Sequence, residues 1–322
     1  MIDNNKLVSV VMPVHNGERF LREAIESVLN QTYSNFELLI IENCSTDKSL
    51  EIVQSYDDPR IRIIISKNCG QVDAYNRGFI ESLGEYIFIH DQDDISHSER
   101  FMEQLNLMNN SDIDICGSFF NVININGKII GKQILPTIDN DIKEQLLYKN
   151  YAMFNSSVCM KKNIFYKYGL FDKTYYPSSD YEFYLRVKNN CKYYNISKYL
   201  YNWRRYKNQI SNILRKETIT KSKDISLKYL EKEYKNLERQ TYYFQKGLIN
   251  YYNNYLINAL YYFLKSLFLN TNHPKKLYRY LFLIIIFGAP IKILRYTSIV
   301  HSQKIISCKN YFDKYLFISS CM

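Results

Sequence analysis

Only ten glycines occur in 322 residues, and none of them builds a G-x-x-x-x-G-K-[ST] or G-x-G-x-x-G loop. That excludes a glycine-rich main-chain cradle for phosphates, so a phosphate-bearing ligand would need its charge met another way. The seven cysteines (Cys44, Cys69, Cys116, Cys159, Cys191, Cys308 and Cys321) are odd in number, scattered, and form no C-x-x-C pair. This pattern argues against a disulfide framework or a zinc knuckle and for a reducing compartment. No run approaches the roughly 20 apolar residues that a membrane-spanning helix needs. The apolar stretch at 281–287 is soon interrupted by Gly288, Pro290 and Lys292. The amino terminus shows no basic segment followed by a long apolar one, so no signal peptide is expected.

What is present is an ordinary apolar content of 46% and a strongly uneven charge. Residues 1–200 carry 21 Lys and Arg against 26 Asp and Glu, whereas residues 201–322 carry 21 against 6. The whole net charge of +10 therefore comes from the carboxyl-terminal part. Such asymmetry points to a polyanionic partner for the basic part, a membrane or a nucleic acid, and to a boundary near 205–215.

Strand-like and helix-like segments alternate through the first hundred residues. Runs at 8–12, 36–41, 61–65 and 86–90 are predominantly apolar, and helical spacing appears over 18–31, 48–56 and 72–83. Strands apolar on both faces and separated by helices predict a parallel sheet covered on both sides, a doubly wound α/β unit. Ligands of such sheets bind beyond the carboxyl ends of the strands. The polar clusters fall there: Pro13-Val14-His15-Asn16, Glu42-Asn43-Cys44-Ser45-Thr46-Asp47, Asn68-Cys69-Gly70, and Asp91-Gln92-Asp93-Asp94. Further on, Asn126-Gly127 predicts a hairpin within 113–135, and 155–160 reads as another strand.

The last cluster places three acids within four residues at a strand end. Crowded carboxylates repel unless a cation sits among them, and hard divalent ions take oxygen ligands of this kind together with substrate phosphates. The alternative is a solvated acidic turn capping the next helix. Asp180 precedes the apolar helical face of Tyr181, Tyr184, Leu185 and Val187. An acid there is either a cap or a catalytic base.

Taken together these segments resemble the family 2 glycosyltransferases, inverting enzymes of the GT-A fold. The resemblance covers about residues 7–212. It rests on Val8-Ser9-Val10-Val11-Met12-Pro13-Val14-His15-Asn16, Ala24-Ile25-Glu26-Ser27-Val28-Leu29-Asn30-Gln31-Thr32-Tyr33, Ala74-Tyr75-Asn76-Arg77-Gly78, and the DxD-like Asp91-Gln92-Asp93. It implies a nucleotide-diphosphate sugar as donor, held by Pro13, Val14, His15, Glu42, Asn43, Asn76 and Asp91. It also implies Mg²⁺ or Mn²⁺ on Asp91 and Asp93, with Asp180 as the general base. Three positions depart from the family pattern: Glu42-Asn43 replaces a common pair of aspartates, Ser179 replaces the usual Glu before the base, and Tyr206 stands where many relatives carry His.

The domains expected are a GT-A catalytic domain over 1–212 and a basic, aromatic-rich helical tail over 213–322. The tail either lies against an anionic membrane surface or packs as a helical bundle on the catalytic domain. The expected protein is a metal-dependent enzyme on the cytoplasmic face of the plasma membrane, acting on a glycan or lipid-linked glycan acceptor and binding no nucleic acid. A nucleotidyltransferase would show a Gly-rich basic loop after the first strand, and a nucleic-acid binder would not line its sheet edge with acids.

Overall fold

Side chains that are apolar on both faces of a strand must be covered from both sides. In the computed structural model, which describes residues 6–233 and 239–267, such strands lie at the centre of one sheet. They are β1 (Val8–Val14), β2 (Phe36–Glu42) and β4 (Tyr86–Ile89), buried at almost every position. Between them run α1 (Leu21–Leu29), α2 (Ser49–Gln54), β3 (Ile61–Ile65) and α3 (Gln71–Glu81). β1 pairs in parallel with β2 from Val8↔Phe36 to Val14↔Glu42, and with β4 from Val8↔Tyr86 to Val11↔Ile89. β1, β2 and β3 therefore finish level, at Val14, Glu42 and Ile65, β4 stops three residues short of them, and the loops that follow share one edge. β3 departs from the expected two-sided burial: it borders the sheet, and Ile63 and Ile65 are exposed.

The chain continues through β5 (Ile95–Ser96), α4 (Arg100–Asn109), β6 (Ile115–Ile123), β7 (Ile129–Gln133) and α5 (Asp139–Leu146). β8 (Cys159–Lys161), α6 (Asn163–Tyr168), α7 (Ser179–Val187) and β9 (Tyr193–Arg204) follow. Sheet order is β3-β2-β1-β4-β8-β6-β9-β5, with β7 attached to β6. β8 inserts antiparallel between β4 and β6, while β6 and β9 are parallel. The expected strand at 155–160 is split: Asn155–Ser157 forms a 3₁₀ turn before β8 begins. The hairpin forms as expected, with Gly127 at φ +74 and the Asn124 carboxamide oxygen accepting from the main-chain N–H groups of Asn126 and Lys128.

Two apolar layers flank the sheet. One holds Leu21, Ile25, Val28, Val53, Phe101 and Leu105 from α1, α2 and α4. The other holds Phe79, Ile142, Phe165 and Phe183 from α3, α5, α6 and α7. Beneath the edge lies Arg100, wholly buried, donating to the carbonyls of Ile89 and Val158 and to Ser96 and Gln104. It ties the ends of β4 and β8 together, and burial lowers its pKa to about 10.

After β9 come a short helix, α8 (Ile210–Ile213), and then α9 (Arg215–Glu233), α10 (Arg239–Tyr252) and α11 (Leu256–Leu267). These do not stand apart. Ile225, Leu230, Leu248, Ile249 and Phe263 join the same core as Phe79 and Phe183. Between α7 and α9, Tyr181 meets Ser226 at 2.7 Å, Ser178 meets Ser222 at 3.0 Å, and the Tyr229 hydroxyl donates to Glu182 at 2.7 Å. The bundle alternative thus describes this part of the tail. Residues 268–322, with the apolar run at 281–287, lie outside the described residues. No helix among the described residues is long and apolar enough to cross a membrane.

α3 sits close on β1 because Gly78 faces Val11: a Cβ there would meet Val11 Cγ1 at 2.3 Å. Gly78→Ala should overpack this contact and cost about 1–3 kcal/mol, read as a lower urea midpoint. The neighbouring exposed Arg77→Ala should stay within about 0.5 kcal/mol of the parent chain.

Candidate active site

The loop after β4 brings Asp91 into the centre of the edge. Its two carboxylate oxygens accept from Tyr75 of α3 and from Ser156 of the 3₁₀ turn, each at 2.5 Å. Its main-chain N–H donates to the Tyr201 hydroxyl at 3.2 Å. Gln92, next in the chain, faces the β1 loop: its amide oxygen accepts from the His15 N–H at 2.7 Å and its amide nitrogen donates to the His15 carbonyl at 2.9 Å. Gly17 makes room for this clasp, since a Cβ there would meet Gln92 Oε1 at 2.6 Å.

Asp93 is 9% exposed. Burial and the Asp91 charge push its pKa up to about 6, while the Tyr206 hydroxyl bonded to it pulls the other way. Asp94 is wholly buried, accepts from the Arg204 N–H at 2.8 Å, and is raised well above the usual carboxylate range by burial and by both neighbouring acids. Arg204 is also buried; its charge opposes the rise at Asp93, but its guanidinium hydrogen-bonds neither carboxylate. It donates to the Asp93 carbonyl at 2.8 Å, to the carbonyls of Asn124 and Ile125, and to Glu23 at 2.6 Å, and it lies over the Phe20 ring. The loop thus concentrates acids without a matching side-chain cation. A hard divalent ion fits an oxygen set of this kind. Among the described residues no group of three or more His, Cys, Asp or Glu converges on a metal position. Asp91 and Asp93 would supply two ligands, leaving the rest to phosphate oxygens and water.

Asp180 lies in the first turn of α7, but Ser178 occupies the cap position. A capping carboxylate is stabilised in its charged form and has a lowered pKa. Asp180 is instead pushed up to about 6, by burial first and then by the Asp91 charge, with the first-turn N–H groups opposing. Its side chain is part-exposed at the edge. The charges of Asp91, Asp180 and Asp93 all raise the Tyr75 hydroxyl, so the three acids lie within electrostatic reach of it, and Asp91 bonds it directly.

The other expected donor residues are distributed less simply. Val14 is buried in β1, Pro13 pairs with Ile41 in register, and the exposed His15 places Nδ1 2.8 Å from the Asn43 carbonyl. The Glu42 carboxylate turns inward to accept from the N–H groups of Ser45 at 2.6 Å and Cys44 at 3.2 Å. The Asn43 side chain accepts from the Gly70 N–H at 3.1 Å. A buried carboxylate must be hydrogen-bonded, and the loop's own N–H groups are the nearest donors. Asn76, expected at the donor, departs furthest. Both arms of its amide are taken by the main chain of Phe171, at 2.8 and 3.0 Å, so it braces α3 against the segment leading to Asp180.

The cysteine expectation needs correction. Cys44 and Cys69 form a disulfide, with Cα atoms 5.6 Å apart. β2 and β3 are parallel neighbours, so the loops leaving them run side by side and bring together residues 25 apart in sequence. The spacing therefore no longer argues against a disulfide framework, nor for a reducing compartment. Cys116, Cys159 and Cys191 are free and buried. Tyr75, Ser156, Gln92, Tyr201 and Arg204 were not anticipated as site residues. Tyr75 and Gln92 lie within segments that carried the resemblance, whereas nothing local marks Ser156.

Residues 9–175 match the profile of Glycosyl transferase family 2. An uncharacterized glycosyltransferase of Haemophilus influenzae is 31% identical over 244 residues, 70% of this chain and 73% of that protein. One of Methanocaldococcus jannaschii is 34% identical over 207 residues, 62% and 70% of the two chains. Among solved structures, S. aureus TarS 1–349 in complex with UDP-GlcNAc superposes with a TM-score of 0.61 at 14% identity, over 81% of this chain and 80% of that one. The mannosyltransferase PcManGT of Pyrobaculum calidifontis, in complex with GDP-Man and Mn²⁺, gives 0.55 at 14% identity, over 98% and 90%. At such identities these structures speak for the fold alone. With the sheet order and the acidic edge, the profile and the relatives establish that this chain belongs to glycosyl transferase family 2 and is a glycosyltransferase of the GT-A fold.

Proposed function

We propose that this glycosyltransferase takes a nucleotide-diphosphate sugar as donor and transfers the sugar to an acceptor hydroxyl with inversion. The observation that carries this reading is Asp180 in the first turn of α7, raised to about 6 by burial and by the charge of Asp91 at the sheet edge. A carboxylate with that pKa is mostly deprotonated near neutrality yet basic enough to accept a proton, as a general base requires. The donor class is supported by the nucleotide sugars bound to TarS and PcManGT on the same fold.

The β1, β2 and β3 loops, cross-braced by Gln92, Asn43 and the disulfide, would form the nucleotide side of the pocket. Asp93 and Asp91 would hold Mg²⁺ or Mn²⁺, whose chemistry is to offset the negative charge that develops on a departing diphosphate. Tyr75 and Ser156 fix the Asp91 carboxylate, and Arg204 and Gln209 fix the loop that presents Asp93. Asp180 takes the acceptor proton as the hydroxyl oxygen attacks the anomeric carbon and the bond to the diphosphate breaks. One base and one displacement give inversion.

The same reading assigns residues 1–212 to catalysis and 213–322 to an appendage. The 21 basic against 6 acidic residues of 201–322 suit the anionic cytoplasmic face of a membrane. A lipid-linked glycan would meet the enzyme there as acceptor. The acids along the sheet edge disfavour nucleic acid as a ligand.

Asp93→Asn should abolish turnover and the metal-dependent part of donor binding while leaving the thermal midpoint near that of the parent. Full activity in excess chelator would refute the metal role. Asp180→Asn should lower kcat by about 10²–10⁴-fold with donor affinity little changed. Because the Asp180 pKa is raised, protonation removes the base below about 6. At saturating Mn²⁺, which would keep Asp93 ionised, the parent rate should therefore fall about tenfold per pH unit below that value and level off above it, and the variant should lack this acid limb. A variant that loses thermal stability but keeps kcat would return Asp180 to a structural role.

A further inference from the structure

The β6–β7 ribbon carries a dense exposed apolar feature. Ile125, Ile129, Ile130, Ile134 and Ile138 are 41, 50, 47, 73 and 52% exposed. Five exposed isoleucines within 125–138 are more than single scattered exposures, and clustered exposed apolar side chains mark a protein or membrane contact more often than bare solvent. Residues 115–138 contain no Asp or Glu, and the two charges on the ribbon, Lys128 and Lys132, are both basic and exposed. Among the described residues β7 pairs only with β6, and its other main-chain edge has no strand beside it. An open edge invites a second strand, and a lysine on it, here Lys132, is a device that discourages such pairing. The same lysine suits an anionic surface, and isoleucines between lysines suit the boundary of headgroups and acyl chains.

The ribbon is also held firmly. Leu135 is buried at its base, and the Asn195 side chain donates to the Pro136 carbonyl at 2.7 Å. Arg204 reaches the carbonyls of Asn124 and Ile125 at 3.3 and 3.1 Å while bonding the Asp93 carbonyl at 2.8 Å. One buried guanidinium therefore joins the turn of the ribbon to the acidic loop.

We propose that the β6–β7 ribbon is a membrane-contact prong that seats the acidic edge against a bilayer bearing anionic headgroups. This deepens the reading of a membrane-presented acceptor and rests on it. It adds to the basic tail a contact point fixed rigidly to the catalytic loop.

A local probe separates the prong from the tail. The full chain, with its single tryptophan removed (Trp203→Phe) and Ile130→Trp introduced, is mixed with vesicles of acyl-brominated phosphatidylcholine, with or without phosphatidylserine. Strong quenching of the introduced indole is expected only with phosphatidylserine and should weaken in high salt. Adding Lys128→Glu and Lys132→Glu should raise the lipid concentration needed by at least about tenfold. Sedimentation with vesicles but no quenching would assign membrane contact elsewhere and overturn the proposal. Absent quenching together with a dimer in light scattering that Ile130→Asn dissolves would replace it with a contact between two copies. Donor hydrolysis without vesicles, measured on the same proteins, should be unchanged by the prong substitutions. Its absence from the parent chain would count against the donor reading alone and leave the quenching result standing.

Discussion

The site depends first on how one carboxylate is held. Asp91 stands at the end of a central strand, and each of its oxygens is bonded by a hydroxyl from a different part of the chain, Tyr75 on α3 and Ser156 before β8. Hydrogen bonds to a charged acceptor are the stronger ones, and burial strengthens them further. They hold the Asp91 carboxylate in place beside Asp93 and Asp94, whose own charges burial and crowding disfavour. They also fix the relation between three segments that meet only in the folded protein.

Around that point the loops brace one another. Gln92 holds both polar main-chain groups of His15, His15 reaches Asn43, and Asn43 reaches Gly70. The disulfide closes the same pair of loops, and Arg204 anchors the acidic loop from below. Loops built this way present ligand-facing groups without having to be ordered at the moment of binding, and such preorganisation favours affinity and rate alike. Asp180 enters from α7, which is packed against α9 through Tyr181 and Ser226. The described helices of the basic tail thus support the element that carries Asp180.

Much of this was legible in the sequence, for identifiable reasons. Strands apolar on both faces, helices of amphipathic spacing and acids at a strand end are local patterns, and β1, β2, β4, α1, α3 and the acidic loop formed where those patterns lay. What was not legible depends on which chain segments become neighbours. Cys44 pairs with Cys69 only because β2 and β3 are adjacent and parallel. Glu42 and Asn76 were assigned by position, but their partners are the nearest main-chain groups, which composition does not reveal. The seating of α9 rests on serines as much as on apolar residues, with Ser222 and Ser226 buried beside Ile225 and Leu230. A charge count over the tail cannot show an interface of that kind.

If the clamped Asp91 is what makes the edge a metal-assisted diphosphate site, the nucleotide and the metal must bind cooperatively, and the clamp must be needed for that. Calorimetric titration of UDP and of GDP into the parent chain and into Tyr75→Phe/Ser156→Ala, with Mn²⁺ and with chelator, tests this directly. The account predicts at least about tenfold tighter binding of one nucleotide with Mn²⁺ in the parent chain, a coupling of about 1.4 kcal/mol, and loss of most of that gain in the folded double variant. Equal nucleotide affinity with and without the metal in the parent chain, or an undiminished gain in the double variant, would contradict it.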